Sequence, residues 1–131
     1  MGEWTLAVSA ADRRVRTPDE LAELLPALSE VMRMPIVRMG EDGRALSAHA
    51  IDPRGIEHWV TGELCDPGTY GGHHPSYQID FAIQALPDHG PGVIAAELYE
   101  WLRADGRFEA VLMSNDVPVE ATHIDRDLWW K

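Results

Sequence analysis

The chain has 131 residues, of which 22 are acidic and 11 are basic, so its formal net charge is -11 at pH 7. A field this negative repels phosphate backbones and anionic lipids, which argues against nucleic acid and membrane surfaces and favours a basic protein as partner. No apolar run is long enough to cross a bilayer and Cys65 has no second cysteine to pair with, so we expect a cytoplasmic protein with one domain over residues 1–131.

The N-terminal part predicts two strands and a capped helix. Trp4 to Ser9 is typical of a strand, and Arg13 to Arg16 indicates a second, short extended piece. Thr17-Pro18-Asp19-Glu20 predicts a helix start, because a threonine cap, an early proline and a glutamate three residues after the cap form a capping box. Pro26 lies inside the apolar stripe of this helix, so we expect a kink or two short helices.

The rest of the chain predicts mainly strands. Strand patterns cover Pro35 to Met39, Arg44 to Ile51, Gly55 to Leu64, Tyr77 to Leu86 and Phe108 to Met113. A second helix is expected to begin at Pro91 and to end just before Gly106, because glycine favours the position after a helix. Residues 115–131 have weak periodicity, which indicates an irregular tail. The order β-β-α-β-β-β-β-α-β predicts an α+β fold with a curved, mostly antiparallel sheet of five to six strands and two helices on one face.

The histidines are the first candidates for chemistry. A symmetric turn at Pro53-Arg54 would place His49 opposite His58, close enough for both rings to bind one metal ion. His73 or His74 could be a third ligand, and Asp80 or Cys65 a fourth.

One hypothesis is therefore a small enzyme that uses His49, His58 and Asp80, with or without a metal, in hydrolysis or secondary metabolism. No ligand pair has a recognised metal-binding spacing, so we expect solvated or hydrogen-bonded histidines, no cofactor, and a function other than catalysis.

The acidic C-terminal half is the second candidate, as a protein-binding surface. Residues 66–131 contain eleven acidic residues against four basic ones. Carboxylates can steer a basic protein, and adjacent tryptophans can anchor it. The expected partner-binding residues are Asp116, Glu120, Asp125, Asp127, Trp129 and Trp130, with Tyr70 and His74 as weaker candidates. The tryptophans could instead cover one end of the core, or be buried in a homodimer.

Two segments resemble a known family. Trp4 on a first strand, followed by Val15 to Leu21 and Leu24-Leu25, is similar to the opening of immunity proteins from bacterial polymorphic toxin systems, especially the Imm1-type family. The segment Gly106-Arg107-Phe108-Glu109-Ala110-Val111 after the second helix resembles the way in which those chains close. The resemblance covers about a third of the chain and implies tight inhibition of a cognate toxin by an acidic surface. It agrees with the leading hypothesis from charge, an acidic module that binds a basic protein.

Overall fold

Seven strands form one antiparallel sheet in the computed structural model, which describes residues 3–13, 15–64, 79–87, 89–115 and 117–121. The order of the strands across the sheet is β2-β3-β4-β5-β1-β6-β7. The strands are β1 (Trp4–Ala10), β2 (Val37–Met39), β3 (Ala45–Ile51), β4 (Glu57–Leu64), β5 (Ile79–Leu86), β6 (Phe108–Ser114) and β7 (Val117–Ala121).

Two helices lie on the same side of this sheet, α1 (Pro18–Met32) and α2 (Gly90–Asp105). Helix α1 begins at the expected Thr17 cap, whose side chain accepts a hydrogen bond from the Glu20 backbone N–H at 3.1 Å. The Glu20 carboxylate reaches back to the Thr17 hydroxyl and to the Arg16 backbone N–H, one residue before the position that a capping box uses. Helix α2 ends at Gly106, whose positive φ of 82° is the left-handed conformation that glycine adopts most readily.

The alternation of side chains along the strands places the core between the sheet and the helices. In β5, Ile79, Phe81 and Ile83 are buried in the core cluster, as the alternating pattern of this segment predicts. Leucines of α1 and α2 meet them from the helix side. The α+β class, the antiparallel sheet and the two helices on one face are thereby confirmed. We call the opposite side of the sheet the outer face.

The structure differs from the expected order at both ends of the chain. The described residues of the segment 13–16 are not in a strand, and the segment leads into the Thr17 cap instead. At the other end, Val117–Ala121 forms β7, although the tail was expected to be irregular. Pro118 argues against a strand in the sequence, because proline has no backbone N–H to donate to a neighbouring strand. An edge strand tolerates proline because one side of its backbone needs no ladder hydrogen bond.

Pro26 neither ends α1 nor divides it into two helices, since the helix is continuous from Pro18 to Met32. The proline is exposed on the solvent side of the helix. The buried side chains Leu21, Leu24 and Leu28 lie on the opposite side and hold both halves against the core.

Gly62 in β4 lies directly under the Phe81 ring, which leaves no space for a side chain at this position. A Cβ atom at this position would lie 2.6 Å from two carbons of the Phe81 ring, which is fully buried and has no room to shift. The position therefore accepts no side chain without displacing the centre of the core.

We predict that Gly62→Ala lowers the free energy of unfolding by about 1–3 kcal/mol, because the added methyl group overpacks the Phe81 site. Denaturant unfolding monitored by circular dichroism measures this. Thr61→Ala on the exposed side of the same strand is the control and should cost less than about 1 kcal/mol. Equal costs for the two variants would show that the Phe81 contact is not limiting.

Candidate functional site

The turn between β3 and β4 determines which side chains share a face of the sheet. Gly55 donates its backbone N–H to the Asp52 carbonyl at 2.9 Å, which closes a four-residue turn, and Gly55 itself has a φ of 84°. The Asp52 backbone N–H then donates to the Ile56 carbonyl at 3.1 Å. This is a turn followed by a left-handed glycine bulge, which adds one residue to the β4 side of the hairpin.

Because of this extra residue, the expected pairing of His49 with His58 is wrong. The register pairs His49 with Trp59, and Ala50 with His58. Directly paired residues share a face, and successive residues alternate between faces. His49 therefore lies on the outer face and His58 on the helix side, so the two rings cannot bind one metal ion.

Asp80 does not complete a site with either histidine. It is on the outer face but pairs with Glu63, whereas the β5 residue next to Trp59 is Gln84. Four residues along a strand correspond to roughly 13 Å. The hypothesis of a His49, His58 and Asp80 site is therefore wrong. Within the described residues no group of three or more metal-ligating side chains converges, and His73 and Cys65 lie outside them.

The outer face instead carries a patch of six side chains at the hairpin end of the sheet. Two rows of three paired residues form it, Ile51-Glu57-Leu86 and His49-Trp59-Gln84. We call these six residues the outer patch. The His49 and Trp59 rings are stacked, with centroids 5.3 Å apart and an interplanar angle of 13°. The His49 Nε2 atom lies 2.8 Å from the Glu57 carboxylate, which orients both side chains.

The apolar members of the outer patch are unusually open to solvent. Ile51 is 64% exposed and Leu86 is 55% exposed, at the two sides of the Glu57 strand. Val37 and Met39, on the edge strand β2, are also exposed on this face. Farther along the same face, Ala7 and Val111 at the centre of the sheet are buried. Of the large apolar side chains that the structure describes as exposed, four lie on the strands β2 to β5, and the fifth, Val119, lies on the edge strand β7.

Three arginines of the described residues, Arg54, Arg103 and Arg107, are held by carboxylates of the same chain. Arg107 pairs with Asp105 and Glu30, and Arg103 pairs with Glu100. The hydrogen bond from Arg107 lowers the pKa of Asp105, because it stabilises the charged carboxylate. Since the acidic residues are twice as many as the basic ones, these pairs leave a surplus of negative charge.

A cleft of about 500 Å³ lies on the helix side, between the end of α1, the middle of α2 and the β3–β4 turn. His58 is on its wall and is only 6% exposed, with Nδ1 3.3 Å from the Ile56 carbonyl oxygen. Arg54 spans the rim and donates to both Asp52 and Glu97. The Arg33 guanidinium lies 4.2 Å from the centroid of a Trp101 ring.

Most of the expected partner-binding residues belong to segments other than those that the structure describes. Tyr70, His74, Asp116, Asp125, Asp127, Trp129 and Trp130 lie outside the described residues, as does His73. Glu120 belongs to β7, but its side chain is not among those described. The outer patch and the cleft were not predicted from the sequence. The glycine after Asp52-Pro53-Arg54 was the available signal, since a turn followed by glycine is typical of a bulged hairpin.

Comparisons with protein-family models, with curated proteins and with solved structures gave no match. In the part of the chain that the structure describes, neither helix has the length and apolar character needed to cross a membrane.

The hairpin has a testable dependence on pH through Asp52. Partial burial raises the pKa of this carboxyl, but hydrogen bonds from Ile56 and Arg54 outweigh that effect and hold the pKa below its ordinary value of 3.8. A carboxyl with a lowered pKa stabilises the fold above its unfolded-state value, and the stabilisation is lost as pH falls through the folded-state value.

We predict that Asp52→Asn is less stable than the wild-type protein at pH 6 and that this difference shrinks towards pH 3. Chemical unfolding of both proteins across this range measures the difference. Asp52→Ala, which also removes the oxygen that accepts from Ile56 at 3.0 Å, should remain destabilised at every pH. A difference between wild type and Asp52→Asn that is constant with pH would contradict the role of the charge.

Proposed function

We propose that this protein is an acidic protein-binding module that docks its outer patch on a basic partner. The observation that carries the proposal is the combination of exposed apolar side chains, a stacked aromatic pair and carboxylates on one open face of the sheet. Apolar surface of this kind marks interaction sites when it is contiguous and surrounded by polar groups.

The apolar and aromatic side chains would provide the anchoring contacts. Ile51 and Leu86 flank Glu57 in one row, and Trp59 occupies the middle of the next row. Interface energy concentrates in a few such side chains, with tryptophan strongly enriched among them. The stacking of Trp59 on His49 fixes the ring before binding, which reduces the entropy lost on association.

The charges on this face determine the kind of partner. Glu57 and Glu63 on β4 and Asp80 on β5 lie on the outer face, and no described arginine on β2 to β5 shares it. A partner with arginine or lysine side chains around an apolar pocket fits this pattern. The same charges oppose a homodimer through this patch, because the symmetric copy would bring like charges together.

An immunity-type inhibitor is the most concrete form of this proposal. It is supported by the net charge of -11 and by the resemblance of the Val15 to Leu21 segment and the Gly106 to Val111 segment to immunity proteins. The inhibitor would cover the active site of a basic toxin. In this form the protein needs no catalytic group of its own.

We predict that a basic protein captured from a lysate of the producing cell binds through the outer patch. Once that protein is purified, Trp59→Ala and Leu86→Ser should each weaken its binding at least about 10-fold, because they remove anchoring contacts. Glu57→Lys should slow association and reduce its dependence on salt. Surface plasmon resonance at several salt concentrations measures both effects.

Glu23→Lys is the matched control, because it makes the same change of charge at an exposed position of α1, on the other side of the sheet. It should reduce the association rate much less than Glu57→Lys does. If the captured partner is acidic, or if the three outer-patch variants bind it like the wild-type protein, the proposed docking surface is wrong.

A further inference from the structure

The cleft on the helix side has the features of a small-molecule site. Its volume of about 500 Å³ lies within the range that holds a compact organic ligand. Its walls include the apolar side chains of Met32, Ala50 and Trp101. The rest of its lining includes the polar residues Arg33, Asp52, Arg54, His58 and Glu97, so a ligand there would be held by apolar contact and oriented by directed polar interactions.

Arg54 is held rigidly at the rim. Its Nε atom donates to the Asp52 carboxylate at 2.8 Å, and its Nη2 atom donates to both Asp52 and Glu97. These bonds to two carboxylates raise the pKa of the guanidinium, because they stabilise its charged form. Within the described residues Nη1 has no hydrogen-bond acceptor, so a fixed pair of N–H donors is left for a ligand.

Arg33 adds a cation whose charge is not compensated by a carboxylate within the described part of the chain. It is the left-handed cap of α1 and lies over the Trp101 ring at 4.2 Å. Stacking on an indole orients a guanidinium while its N–H groups stay free to donate. Asp52 and Glu97 carry two negative charges against the two positive charges of Arg54 and Arg33, so the rim is close to neutral although the whole chain is acidic. Arg33, which has no carboxylate partner among the described residues, is the cation left for the carboxylate of a ligand.

His58 is a further polar residue on the wall of the cleft. Its Nδ1 atom lies next to the Ile56 carbonyl oxygen, so Nε2 is the ring nitrogen left for a ligand. Because His58 is nearly buried, its orientation is fixed by packing before any ligand arrives. The cleft therefore has guanidinium groups at its mouth, apolar walls and an imidazole inside.

From this arrangement we infer that the cleft binds a small organic carboxylate with an apolar body about the size of one aromatic ring. The carboxylate lies between Arg33 and Arg54, where guanidinium groups donate charge-assisted hydrogen bonds. The apolar body lies against Met32, Ala50 and Trp101. The site is on the opposite side of the sheet from the outer patch and is independent of the proposed function.

Benzoate is the first probe, and benzamide and benzylammonium are matched neutral and cationic probes. Titrations followed by NMR of the Trp101 indole and the His58 imidazole should give saturable binding of benzoate with a dissociation constant on the order of 1–10 mM, as expected for so small a ligand. Benzamide and benzylammonium should bind at least about 10-fold more weakly, because they lack the charge that the guanidinium groups recognise.

Two variants test the site itself. Arg33→Gln should weaken benzoate binding at least about 5-fold by removing the uncompensated cation, and Ala50→Leu should weaken it by filling the cleft. Arg103→Gln, which removes an exposed cation paired with Glu100 elsewhere on α2, should bind benzoate like the wild-type protein. Circular dichroism confirms that each variant is folded.

The inference is overturned by any of three results: no saturable shift with benzoate up to 50 mM, equal affinity for benzamide, or equal loss of affinity in Arg33→Gln and Arg103→Gln. Selective loss in Arg33→Gln and Ala50→Leu supports it. Failure of benzoate to bind would leave the docking of a basic protein on the outer patch unaffected, since the two surfaces share no side chain other than Ile51.

Discussion

The extra residue in the β3–β4 hairpin is the constraint on which both candidate surfaces depend. Gly55 adopts a left-handed conformation. Asp52 closes the loop by hydrogen bonds to the backbone of Gly55 and of Ile56. A one-residue change of register moves every side chain of a strand to the other face. The bulge therefore assigns His49 and Trp59 to the outer face and His58 to the helix side.

This assignment separates two kinds of surface that the sequence places within ten residues of each other. On one face, aromatic and aliphatic side chains remain exposed beside carboxylates. On the other, a nearly buried histidine and two arginines line one cleft, where α1 and α2 meet the hairpin. Asp52 links the two arrangements, because the same carboxylate holds the turn and orients Arg54 at the rim of the cleft. Folding of one short turn thus organises both sides of the sheet.

Local patterns predicted most of the fold. The alternation in Tyr77 to Leu86 identified the faces of β5, and the Thr17 to Glu20 box identified the start of α1. Both signals involve residues that are close in sequence, so they can be recognised without knowledge of the tertiary structure. The strand β7 was missed because Pro118 is acceptable only at the edge of a sheet, and its edge position depends on the order of all the strands.

The candidate sites were less predictable, for two reasons. The expected pairing of His49 with His58 was wrong because the register of the hairpin differs from the expected one by a single residue. Gly55, which indicates the bulge that causes this difference, was visible in the sequence. The cleft depends on the distance between Arg33, at the end of one helix, and the β3–β4 turn, which no local pattern specifies. The expectation of a basic partner does not depend on the register, because it was drawn from the net charge, which is a property of composition.

Cross-strand NOE measurements in the β3–β4 hairpin test the account most directly. The register predicts contacts between the backbone protons of Ala50 and His58, together with contacts between the rings of His49 and Trp59. Contacts between the rings of His49 and His58 would contradict it. Such contacts would show that both histidines lie on one face of the sheet, and the outer patch and the cleft would then not be on opposite faces as described.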